Sequence, residues 1–145
     1  MSEPTRRVPA LDHIGISVGD LDAMTRWYSK AFDMRTANEF SVHELGLRGA
    51  FLISGSGLVL ELLERRGSAD PGQAPDQPSS LLRRGYGHIC LRVDDVDARH
   101  AHLVAAGALE RMSPRPSPEA GVRMSFVADP EGNFIELIDR KGAIQ

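Results

Sequence analysis

Apolar and polar residues alternate along several short stretches of the chain and recur at helical spacing along two others. Residues 11–18 and 87–93 show the period of two that is typical of half-buried strands. Each is followed by residues with helical periodicity, at 21–32 and at 96–106. Asp20 is a candidate N-cap of the first helix, and either Asp94 or Asp95 is a candidate for the second.

Three more strands are predicted after each helix. They cover residues 36–43, 47–53 and 58–63 in the first half, and 109–112, 122–128 and 133–138 in the second. Gly-Ser-Gly at 55–57 and Asp-Pro-Glu-Gly at 129–132 are typical of hairpin turns. Residues 66–85 are rich in Pro, Gly and Ser and are predicted to be a connector, and residues 113–120 a second exposed loop.

The two halves repeat one segment. A shift of 75 residues aligns 13–65 with 88–140 without a gap, and the identical pairs include His13 with His88 and Glu61 with Glu136. The sequence therefore predicts an α+β protein of two strand–helix–three-strand (βαβββ) modules at 10–65 and 86–140. Residues 1–9 and 141–145 are predicted to be tails of this single domain.

Strand alternation predicts which side chains share a face. The histidine face of each first strand carries small or polar residues, and one face of each last strand carries the glutamate. These four sets are His13, Gly15 and Ser17; His88, Cys90 and Arg92; Val59, Glu61 and Leu63; and Phe134, Glu136 and Ile138. If the sheets curl, the four faces line one pocket.

Two histidines and two glutamates at matching repeat positions have the donor atoms that divalent metal ions bind. The alternative is that His13 and His88 are core histidines and the glutamates lie at sheet edges. Four matched residues in apolar strands favour the metal interpretation, because an unpaired buried carboxylate is costly.

Other polar residues have weaker claims to function. Arg92 could hold a carboxylate or phosphate or simply reach solvent, and Cys90 could contact a ligand or be a small buried thiol. His43 has no partner in the repeat, and His100 and His102 are two residues apart on a helix and do not share a face, so no functional role is expected for them. The matched residues Arg48 and Arg123 are expected to serve in turns or salt bridges.

Composition excludes several classes of function. A net charge of -3 and a pI near 5.9 argue against nucleic acid as a partner. No apolar run reaches the roughly 18 residues of a membrane span, and the first residues lack the apolar stretch of a secretory signal. With a single cysteine, an internal disulfide is impossible, so a cytoplasmic protein is expected.

Four segments carry a resemblance to a known family: LDHIGISVGDLDAMTRWYSKAFDM, LVLELLER, YGHICLRVDDVDARHAHLVAAGA and FVADPEGNFIELIDR. They resemble the vicinal oxygen chelate superfamily of glyoxalases, bleomycin-resistance proteins and extradiol dioxygenases. The resemblance implies two βαβββ modules curled around a shared cavity. It also implies that His13, Glu61, His88 and Glu136 bind one divalent ion (Ni, Co, Mn, Zn or Fe), in an order similar to that of bacterial glyoxalase I.

The implied function is that of a metal-dependent lyase or isomerase of glyoxalase or epimerase type. Such an enzyme chelates two adjacent oxygens of a small substrate and stabilises an enediolate, here with Glu136 or Glu61 as acid/base. Ser17, Cys90, Arg92 and Phe134 are the candidate substrate-binding residues. The alternatives are a non-catalytic antibiotic-binding protein and an Fe(II) ring-cleaving dioxygenase.

Two departures from bacterial glyoxalase I lead to further expectations. That enzyme has an arginine for glutathione four residues after its first metal histidine, whereas this chain has Ser17, so activity independent of glutathione is expected. In bacterial glyoxalase I the link between the modules is short, and each metal ion takes its ligands from two chains. The longer connector here predicts ligands from one chain, within a homodimer.

Overall fold

The computed structural model describes residues 9–144, and it divides the chain into two compact units after Ser68. The first unit contains β1 (Ile14–Ser17), α1 (Leu21–Phe32), β2 (Met34–Val42), β3 (Leu47–Ser54) and β4 (Val59–Arg65). The second contains α2 (Gln77–Ser80), β5 (His88–Arg92), α3 (Val96–Ala105), β6 (Leu109–Pro116), β7 (Arg123–Ala128) and β8 (Phe134–Asp139). The predicted α+β fold of two βαβββ modules is confirmed.

Each module is a mixed four-stranded sheet in which the first strand lies beside the last. The strand order is β1-β4-β3-β2 in the first unit and β5-β8-β7-β6 in the second. β1 and β4 are parallel with Gly15 opposite Glu61, and β5 and β8 are parallel with Cys90 opposite Glu136. This pairing brings the histidine near the start of each first strand close to the glutamate of the last strand.

The helices begin where aspartates satisfy their free amide groups. The Asp20 carboxylate accepts a hydrogen bond from Ala23 N at 2.9 Å, and that of Asp95 accepts one from Ala98 N at 3.0 Å. Asp95 is therefore the second cap, rather than Asp94.

In each unit the helix covers one face of the sheet, and the apolar core of that unit lies between its helix and its sheet. In the first unit Met24 and Tyr28 of α1 are buried on the same side as Leu60 and Leu62 of β4. In the second unit Val96 and Leu103 of α3 are buried with residues of β7 and β8. In β1 and β5 exposed residues alternate with half-buried aliphatic residues, as predicted. The face that carries the histidines is thus the one away from the helix.

A salt bridge recurs at the same place in both modules. Arg48 pairs with Asp22 at the start of α1, at 3.4 Å, and Arg123 pairs with Asp97 of α3. Arg123 lowers the pKa of the Asp97 carboxyl through this hydrogen bond. The matched arginines are salt-bridge residues that tie each helix to its sheet.

Several local predictions need correction. His13 lies just before β1, which is shorter than the expected 11–18, because only Ile14–Ser17 pair with β4. His43 begins a single 3-10 turn (His43–Leu45) after β2 instead of lying in a strand. The predicted loop at 113–120 is partly strand, since β6 extends to Pro116 through two register shifts. The connector also holds α2, capped by Asp76 and unforeseen from composition.

Two predictions concern parts of the chain that are not fully described. Of the predicted tails, residues 1–8 and 145 lie outside the described residues. Between residues 9 and 144, no helix is long and apolar enough to cross a membrane.

Gly49 of β3 provides a test of packing on the open face. A Cβ at Gly49 would lie 2.3–2.8 Å from ring atoms of Phe40. Gly49→Ala is therefore expected to displace that ring and to lower the free energy of unfolding by about 1–3 kcal/mol in urea denaturation. Gly55→Ala is the control, because a Cβ there meets nothing within 4 Å. Equal stability of the two variants would contradict this packing.

Candidate metal centre

The first unit holds a histidine–glutamate pair at the edge of its open face. His13 Nε2 lies 3.0 Å from Glu61 Oε2, and the two side chains are 31% and 19% exposed. The pairing follows from the parallel β1–β4 register, which sets Glu61 beside the start of β1. The structure thus brings together two of the four predicted ligands.

The second unit repeats this pair with the same dimensions. His88 Nε2 lies 3.0 Å from Glu136 Oε2, and the side chains are 31% and 14% exposed. An aromatic ring also contacts each histidine edge-on, with Phe51 5.2 Å from His13 and Phe126 5.1 Å from His88 between ring centroids. The phenylalanines occupy matching repeat positions, so the repeat contained the signal for them although no role was predicted.

Asp12 is a further site residue that the sequence analysis did not identify. Its carboxylate lies 2.7 Å from His13 Nδ1, on the opposite side of the ring from Glu61. The signal was its position immediately before the histidine. The hydrogen bond with Asp12, opposed by partial desolvation and aided by Glu61, raises the pKa of His13 above its usual value.

The His13 environment fits a bound cation. Carboxylates face both ring nitrogens, and only the doubly protonated ring can donate to both of them. A neutral ring that donates from Nδ1 to Asp12 leaves the Nε2 lone pair beside Glu61, which is how histidine ligands are commonly oriented. Imidazole nitrogen and carboxylate oxygen are both ligands of borderline divalent ions. The chemistry of the donor set therefore suits such an ion.

Each unit by itself supplies one such pair. Within residues 9–144, no group of three or more His, Cys, Asp or Glu side chains is arranged to hold a metal ion. Binding of one ion by His13, Glu61, His88 and Glu136 therefore stays a prediction.

By strand register, Ser17, Cys90 and Phe134 share the faces of the two histidine–glutamate pairs, whereas Arg92 lies beside residues at the start of α3. Ser17 is exposed at the end of β1, and Phe134 lies opposite His88 in the β5–β8 pairing. Cys90 lies opposite Glu136 in the β5–β8 pairing, and partial desolvation together with that carboxylate raises the pKa of the thiol to about 12. Arg92, at the end of β5, lines a shallow surface depression with Asp94, Asp95 and His102.

The remaining histidines are placed largely as expected. His43 and His102 are exposed, whereas His100 is buried on α3 and lies 2.6 Å from Glu110 Oε2. His100 thus joins α3 to β6.

Comparison with known proteins gives consistent matches over nearly the whole chain. The model of the Glyoxalase/Bleomycin resistance protein/Dioxygenase superfamily matches residues 10–137. A probable lactoylglutathione lyase of Vibrio cholerae serotype O1 is 33% identical over 134 residues, which cover 90% of this chain and 91% of the relative. The fosfomycin resistance protein FosX of Mesorhizobium japonicum is 29% identical over 132 residues, covering 90% and 85%.

A solved structure shows the same fold. Glyoxalase I from Zea mays matches with a TM-score of 0.71 and 26% identity, over 90% of this chain and 44% of the maize chain. This chain therefore corresponds to less than half of the maize chain.

Proposed function

Because the chain belongs to the Glyoxalase/Bleomycin resistance protein/Dioxygenase superfamily, we propose that it is a metal-dependent lyase or isomerase of glyoxalase or epimerase type. The observation that carries this proposal is the histidine–glutamate pair, present in both units with the same 3.0 Å separation. We propose that His13, Glu61, His88 and Glu136 together bind one divalent ion, either Ni, Co, Mn, Zn or Fe.

The proposed chemistry is proton transfer next to a carbonyl group. A bound ion supplies Lewis acidity toward two adjacent oxygens of the substrate. Glu61 or Glu136 would take the proton from the oxygen-bearing carbon next to the carbonyl group and return it to a carbon of the resulting enediolate, as general base and then acid. Gly15 lies beside the Glu61 carboxylate, since a Cβ at Gly15 would be in van der Waals contact with Oε2 at 3.6 Å.

The surrounding side chains are proposed to hold the substrate. Phe134 would offer apolar contact, and Ser17 and Arg92 hydrogen-bond donors. Partial desolvation and the Glu136 carboxylate raise the pKa of the Cys90 thiol. Cys90 would line the site as a weak hydrogen-bond donor.

The class of reaction can be tested with metal-loaded protein in D2O. A lyase or isomerase should introduce solvent deuterium at the substrate carbon, with 2-oxoaldehyde thiol adducts and acyl-CoA thioesters as candidate substrates. A dioxygenase should instead consume O2 with catechols. Tight metal binding without either signal, across these substrates, would contradict the proposed enzyme.

Antibiotic resistance is the second candidate, favoured by the likeness to a fosfomycin resistance protein. Expression of the chain in a fosfomycin-sensitive bacterium should then raise the inhibitory concentration of fosfomycin. Expression of Glu136→Gln is the control, since it removes one proposed ligand and keeps the side-chain volume.

Turnover of the methylglyoxal–glutathione adduct is expected to be poor, because Ser17 cannot pair with a glutathione carboxylate. Ser17→Arg is expected to raise kcat/KM for this adduct by about 10-fold or more, as a charged hydrogen bond can provide. Ser41→Arg, at an exposed residue of β2, is the control for added positive charge. Wild-type turnover at the ordinary efficiency of a glyoxalase would show the expectation to be wrong.

A further inference from the structure

Arg111 differs from the other half-buried arginines of the second unit. Arg123 and Arg140 each use Nε and Nη2 as a fork that holds one carboxylate, of Asp97 and Glu119 respectively. Among residues 9–144, no carboxylate forms an ion pair with Arg111. Its Nη2 donates to the neutral amide oxygen of Gln73 at 2.8 Å, and its Nε is buried with no hydrogen-bond partner in the described part of the chain.

A guanidinium fork in which Nε has no acceptor can bind a further one. Burying a cation without a counter-charge costs free energy, and a buried N–H without an acceptor adds to that cost. Nε and Nη2 together hold a carboxylate at Arg123 and at Arg140, so the same two atoms of Arg111 can bind an oxyanion.

An irregularity in the backbone sets the position of Arg111. The β6–β7 register shifts between Glu110 and Met112, which leaves Arg111 as the extra residue of a β-bulge. Bulges redirect side chains and occur often beside active sites. The matching residue of the first unit is Thr36, so the guanidinium is an addition to the module and not part of the repeated scaffold.

Arg111 lies next to the second histidine–glutamate pair. Its guanidinium carbon is 5.9 Å from the centroid of the Phe134 ring. Phe134 is opposite His88 in the β5–β8 pairing, and Glu136 follows two residues later, about 7 Å along the strand. The Arg111 guanidinium, the Phe134 ring and the His88–Glu136 pair thus lie side by side on one face of the second sheet.

We propose that Arg111 binds an oxyanionic group of the substrate, a carboxylate or a phosphoryl group, through Nε and Nη2. The ligand replaces the amide oxygen of Gln73, and Phe134 contacts the apolar part of the same molecule. This proposal rests on the proposed function, and it narrows the substrate class to small anions with an apolar group near the reacting oxygens.

The competing explanation is that Arg111 only anchors the connector. Gln73 packs against the hairpin turn at 129–132, and a Cβ at Gly132 would lie 2.4 Å from the Gln73 side chain. In that case Arg111 and Gln73 act as one structural contact. Gln73→Ala and Arg111→Leu should then lower the melting temperature equally, and anions should have no effect.

The arginine Nε–Hε resonances in a ¹H–¹⁵N NMR spectrum separate these explanations. Spectra of the metal-free protein are recorded with phenylacetate, with phenylphosphonate and with the neutral analogue phenylacetamide. The Arg111 resonance, assigned by its loss in Arg111→Leu, should shift with both anions and not with phenylacetamide. If the shift saturates at a lower concentration of phenylacetate, the site prefers a planar carboxylate. If it saturates at a lower concentration of phenylphosphonate, the site prefers a tetrahedral phosphoryl group.

Substitutions give a second readout. Arg111→Leu should weaken phenylacetate binding by about 10- to 100-fold, and Arg111→Lys, which keeps the charge without the fork, should weaken it less. Arg115→Leu is the control, an exposed arginine of β6 that hydrogen-bonds only Ser113 among residues 9–144. An Arg111 resonance unmoved by millimolar anions, or one that moves no more than that of Arg115, overturns the proposal. Because no metal is present, this outcome is independent of the metal-binding proposal.

Discussion

Replacing His88 by alanine is expected to abolish stoichiometric binding of a divalent ion. The variant lacks the imidazole nitrogen of the His88–Glu136 pair, which is a proposed metal ligand. Since an ion that binds only the folded state stabilises it, the wild-type protein should gain about 2.7 kcal/mol when the free ion is at 100 times its Kd. That gain corresponds to roughly 5–10 °C in melting temperature for a domain of this size, and His88→Ala should lose it.

His102→Ala is the matched control, because His102 is an exposed histidine of the same unit and lies on α3, away from the pair. It should keep both the metal stoichiometry in elemental analysis and the thermal shift on metal addition. Wild-type protein that contains no metal when carefully prepared, and that shows no shift with added Ni, Co, Mn, Zn or Fe(II), would refute the four-ligand proposal. Glu136→Gln should resemble His88→Ala, since an amide oxygen is a weaker ligand than a carboxylate.

The features that could be predicted from the sequence are those set by local periodicity and by the repeat. Alternation along residues 11–18 and 87–93 indicated which face carries His13 and His88, because successive strand residues point to opposite sides of a sheet. The repeat then placed Glu61 and Glu136 at equivalent positions, and parallel pairing of the first and last strands brings each one within 3.0 Å of its histidine.

Features that depend on irregular backbone or on distant contacts could not be predicted in this way. The position of Arg111 follows from a β-bulge and from a contact with Gln73, 38 residues earlier in the chain. A bulge changes the face on which a side chain lies, so the two-residue alternation of a strand no longer predicts the faces of the residues beyond it. His43 was assigned to a strand for a similar reason, because the apolar pattern does not mark the 3-10 turn that ends β2.

Mixing two inactive variants is expected to show whether one chain or two supply the metal ligands. We propose a homodimer in which each chain binds its own ion, because the connector between Glu61 and His88 is long and flexible in composition. A His13→Ala chain and a Glu136→Ala chain would then each have an incomplete site. Unfolding them together and refolding the mixture should restore no metal binding.

The opposite result has a distinct signature. If the first unit of one chain binds metal with the second unit of its partner, a mixed dimer has one site that lacks both residues and one site that lacks neither. Random pairing makes half of the dimers mixed, so about one quarter of the wild-type metal content would return. The control is a mixture of His13→Ala with Glu61→Ala, which removes two ligands of the same unit and restores no complete site in either arrangement. Recovery in the first mixture but not in the control would establish shared sites and refute the single-chain proposal.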